Sequence, residues 1–241
     1  MRCAGEMVSH RLQSFKCWVS RVSRGWGACV VIFLVAELGQ AQQPAGPVKV
    51  WGFEQDRAGK SPAGFSFART GHGRVGRWVV LAQKDAPDGS NVLAQADNDD
   101  VDFRFPIALV EDAVLQDLRL SVKCKPISGA LDQACGVVFR YQDENNYYVA
   151  RANALERNVR LYHVVGGSRR QIAGWSGPAA PQTWHELRLE ARGDHLEVFW
   201  DGQRVIDAHD QTFPEAGKVG LWTKADSVTY FDDLRIEPLP S

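Results

Sequence analysis

From about residue 48 onward, apolar and polar positions alternate with a period of two, and a 3.6-residue period is almost absent. Leu118-Arg-Leu-Ser-Val-Lys-Cys124, Leu187-Arg-Leu189 and Leu196-Glu-Val198 each put apolar side chains on one side and polar ones on the other, the pattern of a half-buried strand. Turn formers separate these runs at Ser128-Gly129, Asp143 to Asn146, Gly166-Gly167, Gly193-Asp194 and Asp201-Gly202. Ala108 to Gln116 fits either a helix or a strand. Short strands punctuated at such intervals predict an all-β fold, a sandwich or a barrel.

The most informative segment reads as three strands, Val137 to Gln142, Tyr147 to Asn153 and Asn158 to Val165. With four-residue turns between them, facing residue numbers sum to 289 in the first hairpin and 311 in the second. One face then carries Val137, Phe139, Tyr141, Tyr148, Ala150, Ala152, Val159 and Leu161, which suits a core. The other carries Arg140, Gln142, Tyr147, Arg151, Asn153, Asn158, Arg160 and Tyr162. Arg151 faces Arg160 directly, with Arg140 on a diagonal. Facing guanidinium groups repel unless something neutralises them. Two explanations stay open: carboxylates from nearby strands or turns, with Glu156 a local candidate, or a ligand surface. Arg, Asn and Gln offer directional hydrogen bonds to hydroxyl or carboxylate oxygens, and Tyr rings offer a flat apolar platform.

The N-terminus changes the picture of where the domain works. Five basic residues and Glu6 precede an apolar run, Gly27 to Ala36, and small residues Gly39 and Ala41 follow it. Residues 1–41 therefore read as a secretory signal, and 42–47 as a short linker to one domain over 48–241. Ten apolar residues reach about half of the roughly 30 Å needed to span a bilayer. A secreted, periplasmic or extracellular location is expected, with no transmembrane segment in the mature chain. Five of the 28 basic residues and two of the 29 acidic ones leave with the leader, so 23 face 27. That mild acidity argues against nucleic acid as a partner. Of five cysteines, Cys124 and Cys135 stay, and a disulfide is expected in an oxidising compartment. A hairpin turning at Gly129-Ala130 would bring them directly across from each other.

Several stretches together resemble the concanavalin A-like lectin/glucanase superfamily, and within it the laminin G-like and 3-keto-disaccharide hydrolase-like bacterial domains. They are Trp51-Gly-Phe-Glu54, Gly136 to Arg140 leading into Asn146-Tyr-Tyr148, Trp184 to Arg188, Phe199-Trp-Asp-Gly202, Gly217 to Trp222 and Phe231-Asp-Asp233. The resemblance implies a two-sheet antiparallel jelly-roll sandwich that meets carbohydrate on its concave sheet. It also implies a structural calcium ion near the first and last strands, at the matching positions Glu54 and Asp232, since hard oxygen ligands suit Ca²⁺. No other cofactor is expected.

Activity is a separate matter. The Glu-x-Asp-x-x-Glu string of family-16-type glucanases, whose two glutamates flank one glycosidic bond, does not occur in this sequence. No catalytic residue is assigned, and Glu156 is a weak acid/base candidate against a solvated turn glutamate. The leading expectation is an exported saccharide-binding module, with its arginines suited to anionic glycans. A glycoside hydrolase acting on 3-keto-disaccharides or related small glycosides is the alternative, and a protein-binding domain of the cell envelope the third reading.

Overall fold

The computed structural model describes residues 46–240. The signal sequence read over 1–41 lies outside them, as does most of the linker. In chain order the strands are β1 (Lys49–Trp51), β2 (Phe65–Gly71), β3 (Trp78–Ala82), β4 (Asn91–Gln95), β5 (Arg104–Leu115), β6 (Leu118–Ser128), β7 (Ala134–Asp143) and β8 (Asn146–Asn153). They continue as β9 (Asn158–Val165), β10 (Ser168–Ser176), β11 (His185–Arg192), β12 (His195–Trp200), β13 (Gln203–His209), β14 (Gly217–Trp222) and β15 (Val228–Pro238). Ala108 to Gln116, ambiguous in sequence, is strand through Leu115. No described helix is long and apolar enough to cross a membrane.

These strands make two antiparallel sheets. One runs β13-β12-β11-β6-β15-β4-β3, with β1 also on β15; the other runs β10-β9-β8-β7-β14-β5-β2. Alternation fixes what each strand buries. On β6, Leu118, Leu120, Val122 and Cys124 point inward, and Arg119, Ser121 and Lys123 point out. They meet Val137, Phe139, Tyr148, Ala150 and Leu161 from the other sheet, with Trp78, Leu189, Trp200 and Phe231 filling the same layer. Each fully buried side chain of this kind contributes about 1.5–3 kcal/mol, which makes the interlayer the main source of stability. The expected all-β, two-sheet sandwich is what the chain forms.

Cys124 and Cys135 are disulfide-bonded, with Cα atoms 6.3 Å apart. The hairpin expected to carry that bond does not exist. β6 lies between β11 and β15, whereas β7 lies between β8 and β14 in the other sheet. The bridge therefore ties sheet to sheet through the core. The reason lies in the connection between the two strands. The Asp226 carboxylate accepts the amides of Ala130, Leu131 and Asp132, and Gly129 adopts a φ of 151° in which a side chain would strike the Asp132 carbonyl. Held this way, the segment arches across the sandwich instead of folding back beside β6.

The other two hairpins bear on the site. Between β8 and β9 the expected register is observed: Arg151 faces Arg160 and Asn153 faces Asn158. Between β7 and β8 the sum is 289 only next to the turn, at Asp143 and Asn146. Beyond an irregularity after Phe139 it becomes 287, with Phe139 facing Tyr148 and Gly136 facing Arg151. Arg140 sits in that bulge with a φ of 46°. A bulge of this kind re-aims the side chains that follow it.

Candidate functional site

The outer face of the seven-stranded sheet carries a second apolar layer: Phe105, Ile107 and Leu109 on β5, Val138 and Tyr141 on β7, Tyr147 and Val149 on β8, Tyr162 and Val164 on β9, and Trp222 on β14. Gly136 is why the Trp222 indole can lie there. A Cβ at Gly136 would come within 3.0 Å of both Trp222 Cε3 and the Arg151 Cβ. Phe105 stacks on Trp222 with ring centroids 5.3 Å apart, and Tyr141 on Tyr147 at 5.7 Å. Burial pushes the Tyr147 hydroxyl up to about 12, and Thr70 shares a 2.7 Å hydrogen bond with it.

Polar groups are set into this aromatic floor. Arg169 on β10 lays its guanidinium 4.5 Å from the Tyr162 ring centroid and 4.9 Å from that of Phe105. Beside it, Arg151 donates to Glu156 at 2.8 Å, to Tyr162 Oη at 3.0 Å and to Asn158 Oδ1. Asn158 in turn donates to Glu156 at 3.0 Å. A second chain links Asn153 to Asp132 at 2.7 Å, with Lys224 bridging Asp132 and Asp102 at 2.9 Å each.

The electrostatics of the two carboxylates differ. Desolvation pushes the buried Asp132 carboxyl up against the pull of Lys224. Glu156 also feels desolvation, but Arg151 and Asn158 outweigh it and hold the carboxyl below its ordinary range. Burial lowers the Arg169 guanidinium. Arg169 Nη1, Arg151 Nε and Trp222 Nε1 are buried without a hydrogen-bond partner among the described residues. Native proteins leave few such atoms, since each costs about 1–3 kcal/mol when orphaned. Three of them share this aromatic face, while others, such as Trp78 Nε1 on β3, lie elsewhere.

Five of the eight residues expected on this face belong to that constellation: Tyr147, Arg151, Asn153, Asn158 and Tyr162. Arg140 and Gln142 do not, because the β7 bulge turns them away and brings Tyr141 to the face in their place. The Arg140 guanidinium is buried against the Gln116, Phe213 and Gly193 carbonyls at 2.8, 3.1 and 2.7 Å and beside Asp117. There it pins three connections to β7 and borders a separate cleft of about 440 Å³. Gln142 is exposed and bonds the Ala216 carbonyl at 3.1 Å. Arg160 faces Arg151 in register, yet its guanidinium runs across Gly174 to the Trp175 carbonyl at 2.5 Å and the Val159 carbonyl at 3.0 Å. The repulsion inferred from register is thus relieved twice, by Glu156 on Arg151 and by main-chain carbonyls on Arg160.

Sequence reasoning missed Arg169, Phe105, Trp222, Asp132 and Lys224. Arg169 was within reach. A two-residue turn at Gly166-Gly167 sets Ser168 against Val165 and Arg169 against Val164, on the face of Tyr162. The others come from strands or connections far away in sequence, whose adjacency no local pattern discloses.

Glu54 and Asp232, expected as calcium ligands, flank the same loop but are differently engaged. Glu54 Oε1 accepts the Ser90 and Asn91 amides at 2.9 and 2.6 Å. Asp232, fully buried, accepts the Asp88 amide at 2.9 Å and the Asp233 amide at 2.7 Å. Oxygen donors of this kind suit calcium, but these two carboxylates are satisfied by main-chain N–H groups, and the donor set fits a shared ion poorly.

The fold and this face define a two-sheet antiparallel β-sandwich with an aromatic outer face. The chain belongs to the 3-keto-alpha-glucoside-1,2-lyase-like domain family, which matches residues 59–237. Among curated proteins it is similar to the levanase of Bacillus subtilis (strain 168), 28% identical over 178 residues. That match covers 72% of this chain and 22% of the levanase, so the chain spans about a fifth of its relative. Among solved structures it is similar to the carbohydrate-binding module CBM66 from Bacillus subtilis, with a TM-score of 0.55 and 23% identity over 71% of this chain and 94% of the module. The exoplasmic/lumenal domain of VIP36 in its Ca²⁺/Man-bound form matches with a TM-score of 0.56 and 10% identity, covering 80% of this chain and 89% of that domain.

Proposed function

We propose that the chain is an exported saccharide-binding module whose ligand lies on the outer face of the seven-stranded sheet. The observation that carries this reading is the convergence of unpartnered N–H donors on an aromatic floor: Arg169 Nη1, Arg151 Nε and Trp222 Nε1 beside Phe105, Tyr147 and Tyr162. A sugar ring has the matching chemistry, with C–H faces that stack on aromatics and hydroxyls that satisfy donors and acceptors at its rim. The likeness to a carbohydrate-binding module supports the same class of ligand. Arg169, with no ion-pair partner among the described residues, favours a saccharide bearing a carboxylate or sulfate. Calorimetric titration of the chain with matched neutral and uronate-containing oligosaccharides tests this reading. Saturable one-to-one binding, tighter for the uronate series, is expected. Absence of binding to every saccharide in both series would overturn it.

One observation favours a second reading, an enzyme acting on a 3-keto-glycoside. Asp132, pushed up by desolvation, and Glu156, held down by Arg151, sit in neighbouring networks with opposed shifts, the arrangement that separates a general acid from a general base. Turnover of a 3-keto-disaccharide that is lost in both Asp132→Asn and Glu156→Gln would support it, and no turnover by the unaltered chain would remove it.

A further inference from the structure

The opposite side of the sandwich carries a cluster unrelated to the saccharide face. β13 is an edge strand of the eight-stranded sheet and pairs with β12, so that His195 faces His209 directly. Leu196, Val198 and Ile206 point into the core, which turns His195, Asp207 and His209 to the outer face. The two imidazoles lie with ring centroids 4.8 Å apart and planes within 18°. His195 Nε2 is 2.8 Å from Asp207 Oδ1, and Arg204 holds the other oxygen of Asp207 at 3.0 Å. Asp194 contacts His209 Nδ1 at 3.2 Å, which leaves Nε2 as the ring nitrogen free to face a ligand.

We infer that His195, Asp207 and His209 form a binding site for a divalent transition-metal ion, zinc being the representative case. One donor atom from each lies within 4.8 Å of the other two. A tetrahedral zinc ion with bonds of about 2.0–2.1 Å needs its donors roughly 3.3 Å apart, so side-chain rotation of about an ångström closes the set. Two imidazoles and one carboxylate select zinc, nickel or copper over calcium or magnesium, which prefer oxygen alone. Asp194 supplies what metal-bound histidines commonly have, a carboxylate on the other ring nitrogen that fixes tautomer and orientation. The fourth position is open to water, and Glu197, beside Asp207 across the hairpin, is held by Arg204 at 2.6 Å. An ion here would clip β12 to an edge strand that otherwise has a neighbour on one side only.

The test uses the full chain without an affinity tag. Zinc chloride is titrated by calorimetry, and melting temperature is followed with and without zinc. The expected result is a zinc-dependent rise in melting temperature that vanishes in His195→Gln and in His209→Gln, with affinity at least tenfold weaker in each. Both residues are partly or fully exposed, so the variants should melt with the unaltered chain when no metal is present. Asp207→Asn, which keeps shape but loses the anionic donor, should weaken zinc less than either histidine change. Calcium chloride should give no such shift. If the double variant His195→Gln, His209→Gln retains the zinc-dependent rise, the site is not where we place it. If the unaltered chain shows no rise at all, the site does not exist.

Discussion

The two outer faces of the sandwich handle charge in opposite ways. On the eight-stranded sheet the cations are matched by acids. Arg119 pairs with Glu190 and Glu237 at 2.9 and 2.6 Å, Lys123 with Glu186 at 3.1 Å, and Arg204 with Glu197 at 2.6 Å. Arg188 adds a cation–π contact over Phe199 at 3.7 Å. On the seven-stranded sheet the arginines are set among buried aromatics and keep donors unpaired. A face that only needs to be soluble can satisfy itself with its own residues and water. A face that leaves guanidinium and indole N–H groups unmatched forgoes stability there, and a ligand able to complete them recovers it.

The largest stability effect is expected where the seven-stranded face is internally completed. Arg151 is 4% exposed and joins Glu156, Asn158 and Tyr162. Arg151→Ala orphans two buried polar groups, while Glu156, on a turn, can return to water. A loss of about 2–3 kcal/mol in chemical denaturation is expected. A loss below about 0.5 kcal/mol would mean that the network is not formed.

Asp232 is the exception on the eight-stranded side, a buried carboxylate without a cation. Desolvation, with Asp88 and Asp233 adding like charge, raises it from 3.8 to about 6 despite two amide hydrogen bonds. Because the folded-state value lies above the unfolded one, its contribution is greatest below about pH 4 and is lost as pH rises through 6. Over that window wild type should lose about 1–3 kcal/mol relative to Asp232→Asn. A flat difference between the two chains from pH 4 to 7 would contradict the assignment. Calcium chloride added to the metal-free chain should leave the melting temperature at neutral pH unchanged, since amides already serve Glu54 and Asp232; a clear rise that Asp232→Asn abolishes would support calcium at that pair.

The smallest effect belongs to the network around Glu190. Arg119→Ala removes two ion pairs, but the buried Glu190 keeps Arg188 and Arg192, and a half-exposed Arg119 contributes only about 0.2–1 kcal/mol per pair, screened by salt. Stability should fall by less than about 1 kcal/mol, and by less still in 0.5 M salt on the order of three times physiological strength. Saccharide affinity should not change.

Much of the fold was legible because period-two alternation and turn residues are local signals. The β8–β9 register followed from a turn of four residues, and with it Arg151 opposite Arg160. Two failures have physical causes. The β7 bulge moved Arg140 out of the site and Tyr141 into it, since one irregular residue exchanges the faces of everything beyond it. The Cys124–Cys135 pairing was right for the wrong geometry. A turn signal shows that the chain reverses but not whether it returns within the same sheet, and here Asp226, almost a hundred residues away, decides the matter. The same limit hid Phe105, Trp222 and Lys224, which reach the face through β5, β14 and the segment after it. Arg169 differed, because its hairpin has a two-residue turn and its face follows from Val164 alone.

The central claim is that the seven-stranded face is incomplete without a saccharide, and Arg169 tests it most directly. It contacts aromatic rings, donates no side-chain hydrogen bond to a described residue through Nη1, and takes no part in the Arg151–Glu156 ion pair. Calorimetric affinity of Arg169→Ala is to be compared with that of the unaltered chain, for the same uronate-containing oligosaccharide, alongside the melting temperature of each. Loss of one charge-assisted contact of about 1.5–3 kcal/mol predicts binding weakened by roughly tenfold to a hundredfold at nearly unchanged stability. Affinity equal to that of the unaltered chain would contradict the claim.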